Sequence, residues 1–161
     1  MIKYEIRPLR ESDIESVIAI DAVVTGTGGP DRAGFWRGLL SIHVDPSPCE
    51  VAPPSPQLCE VAQIAGGDEA SPGQVVGFII GDVQSWQFGI PRHGRIVTIG
   101  VDPAHARKGV ATLLAGALVG TFRKMGLPFI HCLARPGDAL GDFFRSVGFE
   151  KSGFEVLEKR L

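Results

Sequence analysis

The stretch "RIVTIGVDPAHARKGVATLL", residues 95 to 114, holds the change of periodicity on which the fold turns. Residues 95–101 read as a strand. Ile96 is opposite in phase to Val97, Ile99 and Val101, so both faces are apolar, and a strand buried on both faces lies inside a sheet. Asp102-Pro103 ends it. From Val110 the period becomes helical: Leu113, Leu114, Ala117, Leu118, Thr121, Phe122 and Met125 follow at three- and four-residue steps. Arg123 and Lys124 suit the C-terminal end of the helix dipole, and Gly126 and Pro128 stop the helix. Its N-terminal end carries the wrong charge. Arg107 and Lys108 oppose the dipole by a few tenths of a kcal/mol, and Gly109, read as part of the first turn, costs up to ~1 kcal/mol against Ala. A bound anion would offset both, because the first-turn N–H groups have no partner within the helix. A solvated basic turn explains the same residues, and this stretch leaves the two readings level.

Outward from this centre, strands and helices mix. "IKYEIRP" (2–8) alternates as a strand. Ser12 and Glu15 predict a capping box for a helix with Ile14, Val17 and Ile18 on one face. "TGTGGPD" (25–31) lacks the third glycine of a dinucleotide loop and follows a helix, which argues against a phosphate loop there. Asp31 is placed to cap a second helix with Phe35, Trp36, Leu39 and Leu40. "QVVGFIIGDV" (74–83) is a strongly apolar strand, joined to 95–101 by a hairpin-type link. "PFIHCLA" (128–134) is the next strand, and Asp138 caps the short helix "ALGDFFRSV". "FEKSGFEVLEKRL" (149–161) reads as two short final strands. Between Pro46 and Gly73 the composition shifts: "PSPCEVA" (46–52) and "PSPQLCEVA" (54–62) are near-duplicates, the second continuing as a strand, "CEVAQIA". The order predicts an α+β fold around a mixed sheet, in one domain spanning 1–161 with a Pro-rich insertion at about 46–73.

Bulk properties exclude several classes. The 161 residues carry 44% apolar and 21% charged side chains with a net charge of −2, so no basic field invites nucleic acid. Cys49, Cys59 and Cys132 give no disulfide framework, and the expectation is reduced thiols in a cytoplasm. His43, His93, His105 and His131 lack ligand spacing, so no metal is expected. The opening residues alternate, unlike a signal peptide. The longest apolar run, Val110 to Phe122, falls short of the ~20 residues of a membrane span, and Gly116 and Gly120 within it read as close-packing positions against the sheet.

The strand, Val-Asp-Pro, five residues, Gly-Val-Ala and the long helix together resemble the acetyl-CoA motif of the GNAT superfamily of N-acetyltransferases, Arg/Gln-x-x-Gly-x-Gly/Ala. "FFRSVGFEKSGF" resembles that family's closing segment, Phe-Tyr-x-x-x-Gly-Phe, and "IRPLRESDIESVIAID" its first strand and helix. Two motifs 43 residues apart, from Val101 to Phe144, are far more specific than either alone. The resemblance implies a mostly antiparallel sheet of about six to seven strands flanked by about four helices, with the fourth (Ile96 to Val101) and fifth (Phe129 to Ala134) splayed apart to admit the cofactor arm. It implies direct acetyl transfer from acetyl-CoA to a primary amine. Cofactor contacts would come from Ile99, Gly100, Val101, Arg107, Lys108, Gly109, Val110, Ala111, Thr112 and Phe144. The N–H of Gly100 or Val101 would hold the oxyanion, and Trp36 and Trp86 would wall the acceptor site. Dimers are common in the family.

Three departures bear on mechanism. Ala106 stands where the motif has Arg or Gln. Phe144 replaces the Tyr that donates a proton to the leaving thiolate. The strand 95–101 has no carboxylate base, although freeing an alkyl amine costs ~4 kcal/mol at pH 7. Thr98 and Asp82 as water-ordering groups and His131 as a base are the candidates. An α-amino group, with its lower intrinsic pKa, would need little help. Loss of these groups also fits a second reading, a CoA-binding module with little transferase activity.

Overall fold

The computed structural model describes residues 2–26, 33–39, 58–66, 73–85 and 89–161. Trp86, Cys49 and the first copy of the duplicated segment lie outside them. Five strands form one sheet in sequence order: β1 (Tyr4–Pro8), β2 (Leu58–Ile64), β3 (Val75–Gln84), β4 (His93–Val101) and β5 (Ile130–Cys132). The first three pairings are antiparallel and β4–β5 is parallel. Among the described residues four α-helices accompany them: α1 (Ile14–Thr25), α2 (33–39), α3 (Val110–Lys124) and α4 (Ala139–Ser146). The expected α+β architecture holds, and β2 falls on "CEVAQIA", the strand expected from the second copy of the duplicated segment. No helix among the described residues is long and apolar enough to cross a membrane.

Among the described residues the sheet is one or two strands short of the expectation. Residues 149–161 form no strand, and 150–161 are exposed throughout. Phe154, Val156 and Leu157, apolar residues of the two expected strands, stand in solvent. Alternation licenses a half-buried strand only where a neighbouring edge and a core face receive it.

Two clusters fill the sheet's faces. On one face α3 packs Val110, Leu114, Ala115, Leu118 and Phe122 against Val76, Ile79, Val83 and Ile96, with Phe144 joining from α4. On the other, Val17, Ile20 and Trp36 from α1 and α2 cover Val61, Phe78 and Ile80. The small residues that permit close approach are on the strands. A methyl group at Gly81 or Gly94 would lie 2.8 Å from the Phe122 ring, and one at Gly77 would lie 3.2 Å from Leu114. Gly116 and Gly120, expected to touch the sheet, have nothing within 4 Å of such a methyl.

The start of α1 also differs. A short 3-10 turn, Glu11–Asp13, precedes it, and Asp13 rather than Ser12 is the organising side chain. Its carboxylate accepts from the Arg10 N–H at 2.8 Å and from Arg7 at 2.6 and 2.8 Å. Burial alone would raise the Asp13 pKa, but these hydrogen bonds outweigh it and hold the group below the ordinary carboxylate range.

Candidate active site

β4 carries the site because it changes partner along its length. Its antiparallel pairing with β3 slips at Ile80/Gly81, where Gly81 faces Ile96 and Ile80 faces Thr98, leaving Val97 as the extra residue of a bulge. The bulge accounts for the phase break in the sequence. Ile96, Ile99 and Val101 all turn to the α3 face, while Arg95, Thr98 and Gly100 share the opposite one by strand alternation. The expectation of an interior strand was right, since β3 and β5 flank it, but two apolar faces were the wrong reason.

β5 pairs with β4 only through Gly94–Ile130, Arg95–His131 and Ile96–Cys132. Beyond Ile96 the two strands part, as the resemblance implied. The Asp102 N–H donates to the Val76 carbonyl at 2.9 Å, which sets the alternation of the antiparallel ladder. With Asp102 and Gly100 hydrogen-bonded toward β3, the N–H and C=O groups of Ile99 and Val101 point into the gap. Gly100 has its own steric reason: a methyl there would lie 2.6 Å from the Phe78 ring. A cavity of roughly 410 Å³ opens at this gap, lined by Val24, Ile99, Gly100, Val101, Ala111, Asp138, Ala139, Leu140 and Phe143.

The gap runs toward the front of α3. Asp102 caps the Pro103–His105 turn by accepting from the Ala104 N–H at 2.9 Å. Arg107 then takes a left-handed conformation at φ 58° and Gly109 another at φ 83°. Gly109 is the N-cap of α3, outside the helix, so the helix penalty read from sequence does not apply; the constraint is the left-handed backbone, which disfavours any side chain. The first intrahelical bond runs from the Leu113 N–H to the Gly109 carbonyl, leaving the amides of Val110, Ala111 and Thr112 without helical partners. Lys108 reaches back to the Ala104 carbonyl at 2.9 Å, and Arg107 is exposed.

The other candidate residues separate. Trp36 is not an acceptor wall: it is fully buried, edge-on to Phe78, with its indole N–H donating to Asp21 at 3.0 Å. Phe144 turns into the core, and its neighbour Phe143 lines the gap. The helix amphipathicity of 139–146 could have told them apart, since only one of two adjacent residues can face inward. Asp82, Arg95 and His131 gather where β4 and β5 are still paired. Arg95 clasps the Asp82 carboxylate through Nε at 3.0 Å and through Nη2, and Gln84 donates to the same carboxylate at 2.8 Å. Burial, with the neighbouring His93 and Arg95, pushes the His131 imidazole below its ordinary pKa. His93, which sequence reasoning passed over, is completely buried beside it.

A family model for the acetyltransferase (GNAT) family matches residues 52–149. The chain belongs to the GNAT acetyltransferase family. Family membership makes this GNAT protein an acyltransferase. No curated protein sequence matches it. Among solved structures, it is similar to a ribosomal-protein-alanine N-acetyltransferase from Brucella melitensis biovar Abortus 2308, at 16% identity and a TM-score of 0.71, with 99% of both chains covered. An aminoglycoside 6'-N-acetyltransferase from Acinetobacter haemolyticus aligns at 17% identity and a TM-score of 0.68 over 98% of both chains. The 6'-N-acetyltransferase AAC(6')-Iy, in complex with the bisubstrate analog CoA-S-monomethyl-acetylneamine, aligns at 15% identity and a TM-score of 0.72 over 99% of both. At these identities the likeness concerns the GNAT fold.

Proposed function

We propose that this chain transfers an acetyl group from acetyl-CoA directly to a primary amine. One observation carries the reading: the unpaired amides of Ile99 and Val101 face a gap that leads to the free amides at the front of α3. That arrangement fits a long ligand with amide groups at one end and a diphosphate at the other. When bound, acetyl-CoA supplies the activated thioester. The amides of Val110, Ala111 and Thr112 hold the diphosphate, and Arg107 and Lys108 offset its charge from the rim. Gly109 keeps the turn open in a conformation other residues resist. The Val101 N–H, one of the two candidates for the oxyanion contact, is the one directed into the gap; the Gly100 N–H is taken up by β3. Phe144 has no proton to give and is in the core, so the leaving thiolate takes its proton from water.

The acceptor is a primary amine of a small molecule or of a peptide. The structural neighbours acetylate aminoglycosides in one case and a ribosomal protein's alanine in another. A panel of polyamines, amino acids, aminoglycosides and peptides with free N-termini, followed by thiol release from acetyl-CoA, tests the class. Isothermal titration tests the cofactor. Ala111 lines the gap, so Ala111→Phe is expected to weaken acetyl-CoA binding by at least ~10-fold, or ~1.4 kcal/mol. No heat of binding to the unaltered protein at high micromolar acetyl-CoA would reject the reading. Turnover of any amine would exclude a module that only binds CoA.

A further inference from the structure

From Pro103 to Gly109 the chain is exposed except at His105, which is half-buried. That side chain is held from the other end of the sequence. His105 Nδ1 lies 3.0 Å from the hydroxyl of Tyr4 on β1, 101 residues away. The two rings stand edge to face, with planes 84° apart and centroids 5.8 Å apart. Either tautomer of the imidazole completes the bond, because a phenol both donates and accepts. Tyr4 is itself fixed: its backbone pairs with Ile64 of β2, and its ring packs against the cluster that α3 covers. Other bonds of the turn are local. The His105 N–H donates to the Asp102 carbonyl at 2.8 Å and the Ala106 N–H to the Pro103 carbonyl at 3.2 Å. Such bonds shape the turn without fixing where it lies against the sheet. Placement matters because Arg107, two residues on, holds φ 58°, a conformation that costs a side chain free energy and persists only where the surroundings over-determine it.

We infer that the Tyr4–His105 pair sets the choice of acyl donor: it locks the turn before α3 in the shape that receives a diphosphate, so that the chain prefers acetyl-CoA to thioesters carrying the same arm without one. This rests on the acetyl-transfer reading. Tyr4 and His105 are positioning residues, and neither is among the residues that line the gap. The effect is one of pre-organisation. A turn free to relax at Arg107 has to be ordered again each time a diphosphate arrives, and that ordering weakens binding. With the imidazole tied to β1, the folded chain already bears the ordering cost. The consequence is confined to one part of the ligand. The amides at the front of α3 would meet the diphosphate, whereas the arm would meet Ile99 and Val101 on β4, whose place is set by the ladder with β3. Loosening the turn therefore penalises a donor with a diphosphate and spares one without.

Tyr4→Phe tests this in the full chain, because it removes one hydroxyl and keeps the ring in the core. By isothermal titration the variant should bind acetyl-CoA and CoA ~5-fold more weakly. S-acetylpantetheine, which has the arm and the thioester but no diphosphate, should bind parent and variant equally in a chemical-shift titration. With the best acceptor of the panel, KM for acetyl-CoA should rise while kcat and the acceptor's KM hold. His105→Leu should cost about as much affinity, and the double variant no more than either, since both changes remove the same bond. His105→Asn sets an amide near the place of Nδ1 and should keep most of the affinity. Without ligand, backbone ¹⁵N order parameters from Ala106 to Gly109 should fall in Tyr4→Phe, with those of β1 and α3 unchanged. Unaltered acetyl-CoA affinity, an equal loss for S-acetylpantetheine, additive losses in the double variant or an equally ordered turn would each overturn the inference and leave acetyl transfer standing. A parent protein that binds no acetyl-CoA overturns both.

Discussion

Single residues show how packing, rather than chemistry, claims several positions near the site. Gly100 is one. Its missing side chain makes room for the Phe78 ring, so Gly100→Ala should destabilise the fold by ~1–3 kcal/mol through overpacking. Adding Phe78→Leu should recover part of that loss in a denaturation midpoint, because the two changes meet at one contact. Recovery would not follow if the glycine served only the ligand. Trp36 is another. Trp36→Phe leaves the buried Asp21 without the indole N–H and should cost ~1–3 kcal/mol of stability, with no change in acetyl-CoA affinity by titration. The sequence offered no way to distinguish a buried Trp from a site wall, because an aromatic with one polar atom suits either. The resemblance drew Trp36 to the acceptor; one hydrogen bond to α1 draws it to the core. Phe143 and Phe144 exchange places for a related reason: the motif aligns residue types, while the helix face decides which ring looks out.

At the level of elements, legibility followed the strength of the local signal. The α3 face, the Asp138 cap and β2 within the duplicated segment were all readable, because each rests on periodicity or on a side chain bonding its own neighbours. The β4 bulge was visible only as an anomaly of phase. One extra residue flips the alternation, and a pattern reading without a partner strand took the flip for a second apolar face. The final strands failed for the opposite reason: the pattern was present but no edge took it up. Between β2 and α3 a tertiary effect escaped the sequence entirely. Glu60 has one carboxylate oxygen buried without a partner, and burial raises its pKa against the opposing hydrogen bond from Thr121. A raised carboxyl pKa means that its stability contribution is complete below the unfolded value, near ~4.3, and is lost as pH rises through the folded value. Glu60→Gln should therefore match the parent protein's melting temperature near pH 4 and exceed it at pH 7. Equal melting temperatures at both values would show that water reaches the carboxylate in solution.

For the whole molecule, the parting of β4 and β5 sets how ligand and fold support one another. A central sheet ordinarily closes every ladder, yet here Ile99 and Val101 leave theirs open on one side, in the middle of the protein rather than at its rim. The molecule is thus an incomplete fabric, and under the proposed function a guest threading the opening would serve as its absent yarn. Occupancy should toughen the weave as a whole: at a hundred times Kd, CoA is expected to add ~2.7 kcal/mol to unfolding, read as a rise in the calorimetric melting temperature that grows with the logarithm of ligand concentration. If the proposed acetyl transfer holds, a cell that starves the protein of its thioester loses more than turnover, because the empty form is the one more readily unravelled.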